Sequence, residues 1–246
     1  RQSFVGTGYV QSMIQLELQE FVQGERAAAA SPVELAVRMR FNPTLNSAWF
    51  TGVMEVINMV TMLSIILAGA ALIREREHGT LEHLLVMPIR PVEIMLAKVL
   101  SMGAVVLLAS LLSLRIMVQG VLEMPIGGAL ALFMLVVALH LFATTSMGIF
   151  LGTVARSMPQ LALLIILVLL PLQMLSGGAT PRESMPEAVR TLMLLAPTTH
   201  FVSLAQAVLY RGAGMSIVWP TLLALTAIGA TFFVAALTRF RRSLAL

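Results

Sequence analysis

Apolar residues run almost without interruption through five stretches of the chain, at about residues 51–73, 95–118, 127–154, 160–175 and 217–237, and charged positions fall mainly in the gaps between them. At the helical rise of about 1.5 Å per residue, an apolar run of about 20 residues matches the roughly 30 Å of hydrocarbon in a bilayer, so each stretch predicts a transmembrane helix. The run Leu161-Ala162-Leu163-Leu164-Ile165-Ile166-Leu167-Val168-Leu169-Leu170 has none of the apolar–polar alternation of a barrel strand. Because every backbone N–H and C=O in lipid must be paired within its own helix, the pattern predicts an all-α polytopic membrane protein with five transmembrane helices.

The pattern changes in two places. Residues 176–210 open on Ser176-Gly177-Gly178-Ala179-Thr180-Pro181 and are punctuated by Pro186 and Pro197. They hold two apolar-faced pieces, 186–196 and 199–210, each too short to cross a bilayer. These read as outer re-entrant helices that dip in and return, with surface helices on an ordinary outer loop as the alternative. Residues 4–21 are apolar but broken by Gln11, Gln15, Glu17, Gln19 and Glu20, the mark of a soluble amphipathic helix. After a flexible stretch at 24–31, Val33, Leu35, Val37, Met39 and Phe41 alternate with Glu34, Ala36, Arg38 and Arg40. That period of two predicts a half-buried strand. Residues 1–50 thus read as a partial α/β extracytoplasmic segment, the carboxyl-terminal part of a larger outer domain. Position 1 is Arg and no signal peptide precedes the segment, so at least one earlier span is expected before Arg1.

Composition agrees: 58% of residues are hydrophobic, 11% are charged and mean hydropathy is +0.91, far outside the soluble range. With no cysteine, disulfides and thiolate sites are excluded. All acids are Glu, Lys98 is the sole lysine, and the net charge is +4. If the spans alternate, Arg74, Arg76, Arg90, Lys98, Arg156, Arg239, Arg241 and Arg242 share one side. The opposite connections carry only Arg182, Arg190 and Arg211, with none in 119–126. The positive-inside rule makes the first side cytoplasmic, which puts residues 1–50 outside and the carboxyl terminus inside. Basic ends against anionic lipid, rather than nucleic acid, account for the charge balance.

One gap is unusually charged. Arg74-Glu75-Arg76-Glu77-His78 is followed by Gly79-Thr80-Leu81-Glu82-His83-Leu84-Leu85-Val86-Met87-Pro88. Arg74 and Arg76 suit a span's cytoplasmic exit, but Glu75 and Glu77 gain nothing from anionic lipid and fit a protein partner better. Thr80 is placed to cap a short helix over 81–87, with Glu82 in its first turn and Pro88 ending it. Such a helix exposes Glu82 and His83 and buries Leu81, Leu84 and Leu85. His78 and His83 are one residue too far apart for an i, i+4 zinc pair. Neither a catalytic triad nor a pair of carboxylates is apparent, which argues against an enzyme.

The segment Glu75-Arg76-Glu77-His78-Gly79-Thr80-Leu81-Glu82-His83-Leu84-Leu85, followed by Pro88, Glu93 and Lys98, resembles the coupling helix of type-2 ABC exporter permeases. Phe41-Asn42-Pro43 with Ser47 and Phe50 resembles the approach to the span after the outer domain in the subset that has a large one. Ser176-Gly177, Pro181, Met185-Pro186, Pro197 and Phe201 resemble the paired re-entrant helices, and Arg239-Phe240-Arg241-Arg242 the basic tail. The resemblance covers nearly the whole chain and implies six spans in the full-length family, residues 51–246 forming the transmembrane domain.

It further implies a nucleotide-binding ABC ATPase subunit or domain docked through Glu75, Glu77, His78, Gly79, Thr80, Leu81, Glu82, Leu84 and Leu85, a second permease half, and an outer adaptor in the periplasm. ATP and magnesium would belong to the ATPase. This chain lacks a Walker loop, since Gly79-Thr80 has no preceding glycine and lysine, so no cofactor is expected in it. The implied function is ATP-driven efflux of amphiphilic or drug-like molecules across a bacterial inner membrane. An anchor for an ATPase without transport, or an ion-coupled secondary transporter, are the other classes; the latter calls for mid-depth acids, which the spans lack.

Ionisable residues inside spans are costly and therefore informative. His140 lies near the middle of its span, for substrate contact, proton sensing or a hydrogen bond to a neighbouring helix. Glu55 lies about one turn inside the first span, where it can line an outer exit, pair with Arg115 or face headgroups; Arg115 itself is placed to snorkel. Gly148 and Gly152, with Thr144, Thr145 and Ser146, permit close helix contact, within the subunit or at a seam with a second copy.

Overall fold

The computed structural model describes residues 13–14, 47–79, 90–123 and 127–244. The chain divides into two units, Arg1–Leu45 and Asn46–Leu246. Of the first, only Met13 and Ile14 are described, both helical. The expected amphipathic helix at 4–21, apart from those two residues, the strand at 33–41 and the short helix at 81–87 lie outside the described residues.

The second unit is helical throughout its described part: α1 (Ser47–Glu77), α2 (Pro91–Ser113, continued by a π-helical turn, Leu114–Val121), α3 (Leu130–Val154), α4 (Met158–Met174), α5 (Glu187–Leu192), α6 (Pro197–Ala205, continued by Gln206–Tyr210) and α7 (Met215–Leu244). Among the described residues four helices are long and apolar enough to cross a bilayer, spanning Trp49–Glu77, Pro91–Val121, Leu130–Val154 and Met215–Arg242, or five if the bent pair Glu187–Leu195 and Pro197–Tyr210 counts as one span. The expected fourth span is the 17-residue α4, about 25 Å long and so shorter than a typical hydrocarbon core. The first is longer than its apolar run because the helix continues through the charged turn Arg74–Glu77, where His78 N–H still reaches the Arg74 carbonyl at 3.0 Å. Gly79 then takes φ +67°, the left-handed conformation that stops helices at little cost only when the residue is glycine.

α3 is the central helix, packed on α1, α2, α4, α6 and α7. Between lipid-embedded helices there is little hydrophobic driving force, so contact depends on close packing. The glycines of α1 and α3 supply it: a Cβ on Gly148 would lie 2.5 Å from the Ile65 carbonyl oxygen, and one on Gly152 3.0 Å from that of Gly69. The small residues of α3 therefore serve contact within the subunit.

α1 runs from Trp49 at one end of the bundle to Arg74 at the other. α2 returns, its Leu122 carbonyl accepting the Trp49 indole N–H at 2.9 Å. α3 leads back, and the Ala155 carbonyl just beyond it accepts from Arg76 Nη1 at 2.8 Å. α4 returns to the Trp49 end, where Gly178 lies against Met54.

The next two helices form a hairpin with both mouths at that end. It descends from the 3-10 turn Arg182–Ser184, which flanks Gly177, bends by 91° between Leu195 and Pro197, and climbs to Tyr210, whose hydroxyl donates to the Trp49 carbonyl at 3.3 Å. Pro197 favours the bend: a residue before proline is disfavoured in the α region, and Ala196 is extended, at φ −87°, ψ 127°. The two short helices thus enter and leave at the same end of the bundle. α7 then runs the length of the bundle, ending with Phe240 buried in a cluster with Leu72 and Met95.

Candidate functional site

Three features of the bundle have chemical content. The first is the Arg74 end. Glu75 and Lys98 form an ion pair joining α1 to α2, with the lysine largely buried and the glutamate about one-third exposed. The pair ties the last turn of α1 to the first turns of α2. At the start of α2 the Arg90 N–H donates to the Glu93 carboxylate at 3.0 Å, with Pro91 in the first turn. Glu77 and His78 are exposed, and His78 Nδ1 donates to the Arg74 carbonyl at 2.7 Å. Arg239 lies over the Phe150 ring at 5.9 Å. The eight cations grouped by sequence thus fall at this end of the bundle.

The second is a buried polar seam between α1 and α3. Thr61 Oγ1 lies 2.9 Å from both the Ile57 carbonyl and His140 Nε2. The threonine has one proton; given to Ile57, it leaves His140 Nε2–H to donate to the hydroxyl. His140 Nδ1 is then an acceptor, buried without a partner among the described residues. One turn further on, Ser64 donates to Thr144 Oγ1 at 2.7 Å and Thr144 to the His140 carbonyl at 3.0 Å. The imidazole stacks on Phe201 of α6 with centroids 4.0 Å apart, so the same ring touches α1 and the hairpin.

The third is a groove of about 340 Å³ between α1 and α2 near the Trp49 end, lined by Glu55 with Met59, Leu63, Ala109, Ser113 and Met117 among others.

Residues 4–238 match the family described as ABC-2 family transporter protein. The chain belongs to that family. Relatives of this permease include the inner membrane transport permease YhhJ of Escherichia coli (strain K12), 65% identical over 243 residues, which is 99% of this chain and 65% of the relative. The probable multidrug ABC transporter permease YbhR of the same organism is 29% identical over 239 residues, 97% of this chain and 64% of its own. The probable multidrug ABC transporter permease YbhS, also from that strain, is 29% identical over 206 residues, 83% of this chain and 54% of its own. The permease chain therefore spans about two thirds of the length of YhhJ and YbhR. It is a multi-pass membrane protein of a transport family.

Of the residues singled out for ATPase coupling, Glu75, Glu77, His78 and Gly79 cluster at the end of α1, whereas Thr80, Leu81, Glu82, Leu84 and Leu85 lie outside the described residues. Glu55 and Arg115 are not brought together: the ion pairs among the described residues are Glu75–Lys98 and Glu187–Arg190, and Arg115 does not line the Glu55 groove. His140 makes the neighbouring-helix hydrogen bond that was one of its possible roles. The partners Thr61 and Ser64 carried no signal of their own, because a hydroxyl in an apolar run has nothing to mark it until the helix opposite is known; Phe201 was marked by the resemblance of its segment, not by any link to His140.

Proposed function

We propose that this permease forms one half of the membrane path of an ATP-driven exporter that moves amphiphilic or drug-like molecules out of the cytoplasm, with energy from a nucleotide-binding partner. The Arg74 end is then cytoplasmic, because it gathers Arg74, Arg76, Arg90, Lys98, Arg156, Arg239, Arg241 and Arg242 and cytoplasmic flanks are rich in such residues. The Trp49 end and residues 1–50 face outward, toward any periplasmic adaptor. A second permease half completes the path, and ATP and magnesium sit in the partner.

The Glu75–Lys98 pair carries the coupling proposal. The partner docks on the segment that joins α1 to α2 and on exposed Glu77 and His78. Because the pair cross-links α1 and α2 where that segment leaves and rejoins them, a push on it reaches both helices as one body instead of bending one against the other. Packed helices respond to such a push by small rigid shifts, and the close α1–α3 contact passes the shift to the centre of the bundle. The proposed multidrug character rests on the similarity to YbhR and YbhS, both named as probable multidrug permeases, and on the apolar groove beside Glu55.

The test is a charge swap in the full-length protein reconstituted with its ATPase. Glu75→Lys is expected to abolish transport and substrate-stimulated hydrolysis while leaving basal hydrolysis in place, and Glu75→Lys with Lys98→Glu to restore both. Transport at the wild-type rate by the single variant would refute the role of the pair. Hydrolysis that no candidate substrate stimulates, with no transport, would favour an anchoring role.

A further inference from the structure

The groove between α1 and α2 has a composition that general membrane packing does not explain. Glu55 is the sole charged side chain among its described lining residues. It lies six residues beyond Trp49, about 9 Å along α1, below a ring of the kind that marks the bilayer interface. The Glu55 side chain is exposed at the groove, where a carboxylate beside apolar walls favours a cationic partner. Among the described residues no cation forms an ion pair with it, and Arg115 lies elsewhere on the α2 continuation. The remaining wall is apolar and pliable: Met59 and Met117 offer flexible thioethers that fit varied shapes, with Leu63 and Ala109 between them. The volume of about 340 Å³ falls in the range that holds a drug-sized molecule.

We propose that this groove binds lipophilic monocations of drug size, with the apolar body between Met59, Leu63, Ala109 and Met117 and the positive charge on the Glu55 carboxylate. Charge complementarity selects the ligand class: the carboxylate attracts a single opposite charge seated beside the apolar wall, whereas anions of the same shape are repelled. The site deepens the exporter reading by naming a substrate class, but binding itself does not depend on ATP.

The experiment measures binding of radiolabelled tetraphenylphosphonium to the full-length protein in phosphatidylcholine nanodiscs without nucleotide. Saturable binding is expected, at least tenfold weaker in Glu55→Gln. Tetraphenylborate, of the same shape and opposite charge, is expected not to compete. Ala109→Trp, which fills the groove without touching the carboxylate, is expected to remove binding as well, with thermal unfolding showing that both variants are folded. Equal affinity in wild type and Glu55→Gln, or displacement by tetraphenylborate, would overturn the site. Displacement by added phosphatidylethanolamine would overturn it in favour of an aminolipid. If the probe binds as stated but ATP drives no transport of any compound, the exporter reading fails and the site stands. If ATP drives transport while Glu55→Gln binds the probe like wild type, the site fails and the exporter reading stands.

Discussion

Gly148→Ala adds a single methyl group at the closest approach of α1 and α3. That methyl would lie 2.5 Å from the Ile65 carbonyl oxygen, 3.0 Å from Ile65 Cα and 3.1 Å from Ala68 Cβ. Two of the three are backbone atoms, so rotating a side chain gives no relief. Reaching ordinary contact at 3.4 Å requires the helices to part by 0.9 Å at that point. Overpacking of this kind costs about 1–3 kcal/mol, while replacing a mid-helix glycine by alanine returns about 1 kcal/mol of helix propensity. The same change at Gly103 separates the two terms, because a Cβ there meets only Leu141 Cβ at 4.0 Å. Gly103→Ala should therefore be neutral or stabilising by up to about 1 kcal/mol, and Gly148→Ala destabilising by up to about 2 kcal/mol. Unfolding of the purified protein by SDS in mixed micelles, followed by tryptophan fluorescence, measures both. Equal stability of the two variants would refute the packing argument. A change in oligomeric state with unfolding unaltered would move Gly148 to a seam between copies.

Two further predictions rest on single residues. Gly79→Ala should cost about 1 kcal/mol of helix-end stability, with Gly79→Asn milder, since φ is +67° and a Cβ there meets nothing within 4 Å; hydrogen exchange of the last turn of α1 reads the difference, and equal protection in both variants would count against it. His140→Phe keeps a ring on Phe201 and leaves the Thr61 proton with Ile57, so stability and the pH profile of transport should be retained, whereas His140→Ala opens a cavity and should lower stability by about 2–4 kcal/mol; loss of transport in a stable His140→Phe variant would show that the imidazole itself is used.

Much of this architecture was legible because lipid restricts it: once a run such as 161–170 is apolar throughout, a helix is the available answer. The break between the two short helices was legible through Pro186 and Pro197, which stand just outside and at the start of helices, whereas Pro171 and Pro220 lie inside them. Helix ends were less so. α1 continues to Glu77 because backbone hydrogen bonding does not respond to the hydropathy change at Arg74, and α2 ends in a π turn over residues 114–121 that no periodicity announced. The ion pair and the seam were hidden for a different reason. Glu75 and Lys98 are 23 positions apart and Thr61 and His140 are 79 apart, so each pairing depends on which helices are neighbours and at what rotation. The Glu55–Arg115 alternative failed because Arg115 does not line the groove that holds Glu55.

The hairpin also settles the parity of the fold. Descending and returning at the Trp49 end, it adds no crossing, so α7 points the same way whether or not those two short helices are seated. Had the pair crossed instead, Arg239, Arg241 and Arg242 would lie opposite Arg74 and Arg76, and the two ends of the bundle would give the insertion machinery contradictory instructions. As built, the positive flanks of α1, α2, α4 and α7 gather at one end of the bundle, a pattern consistent with a single orientation under the positive-inside rule.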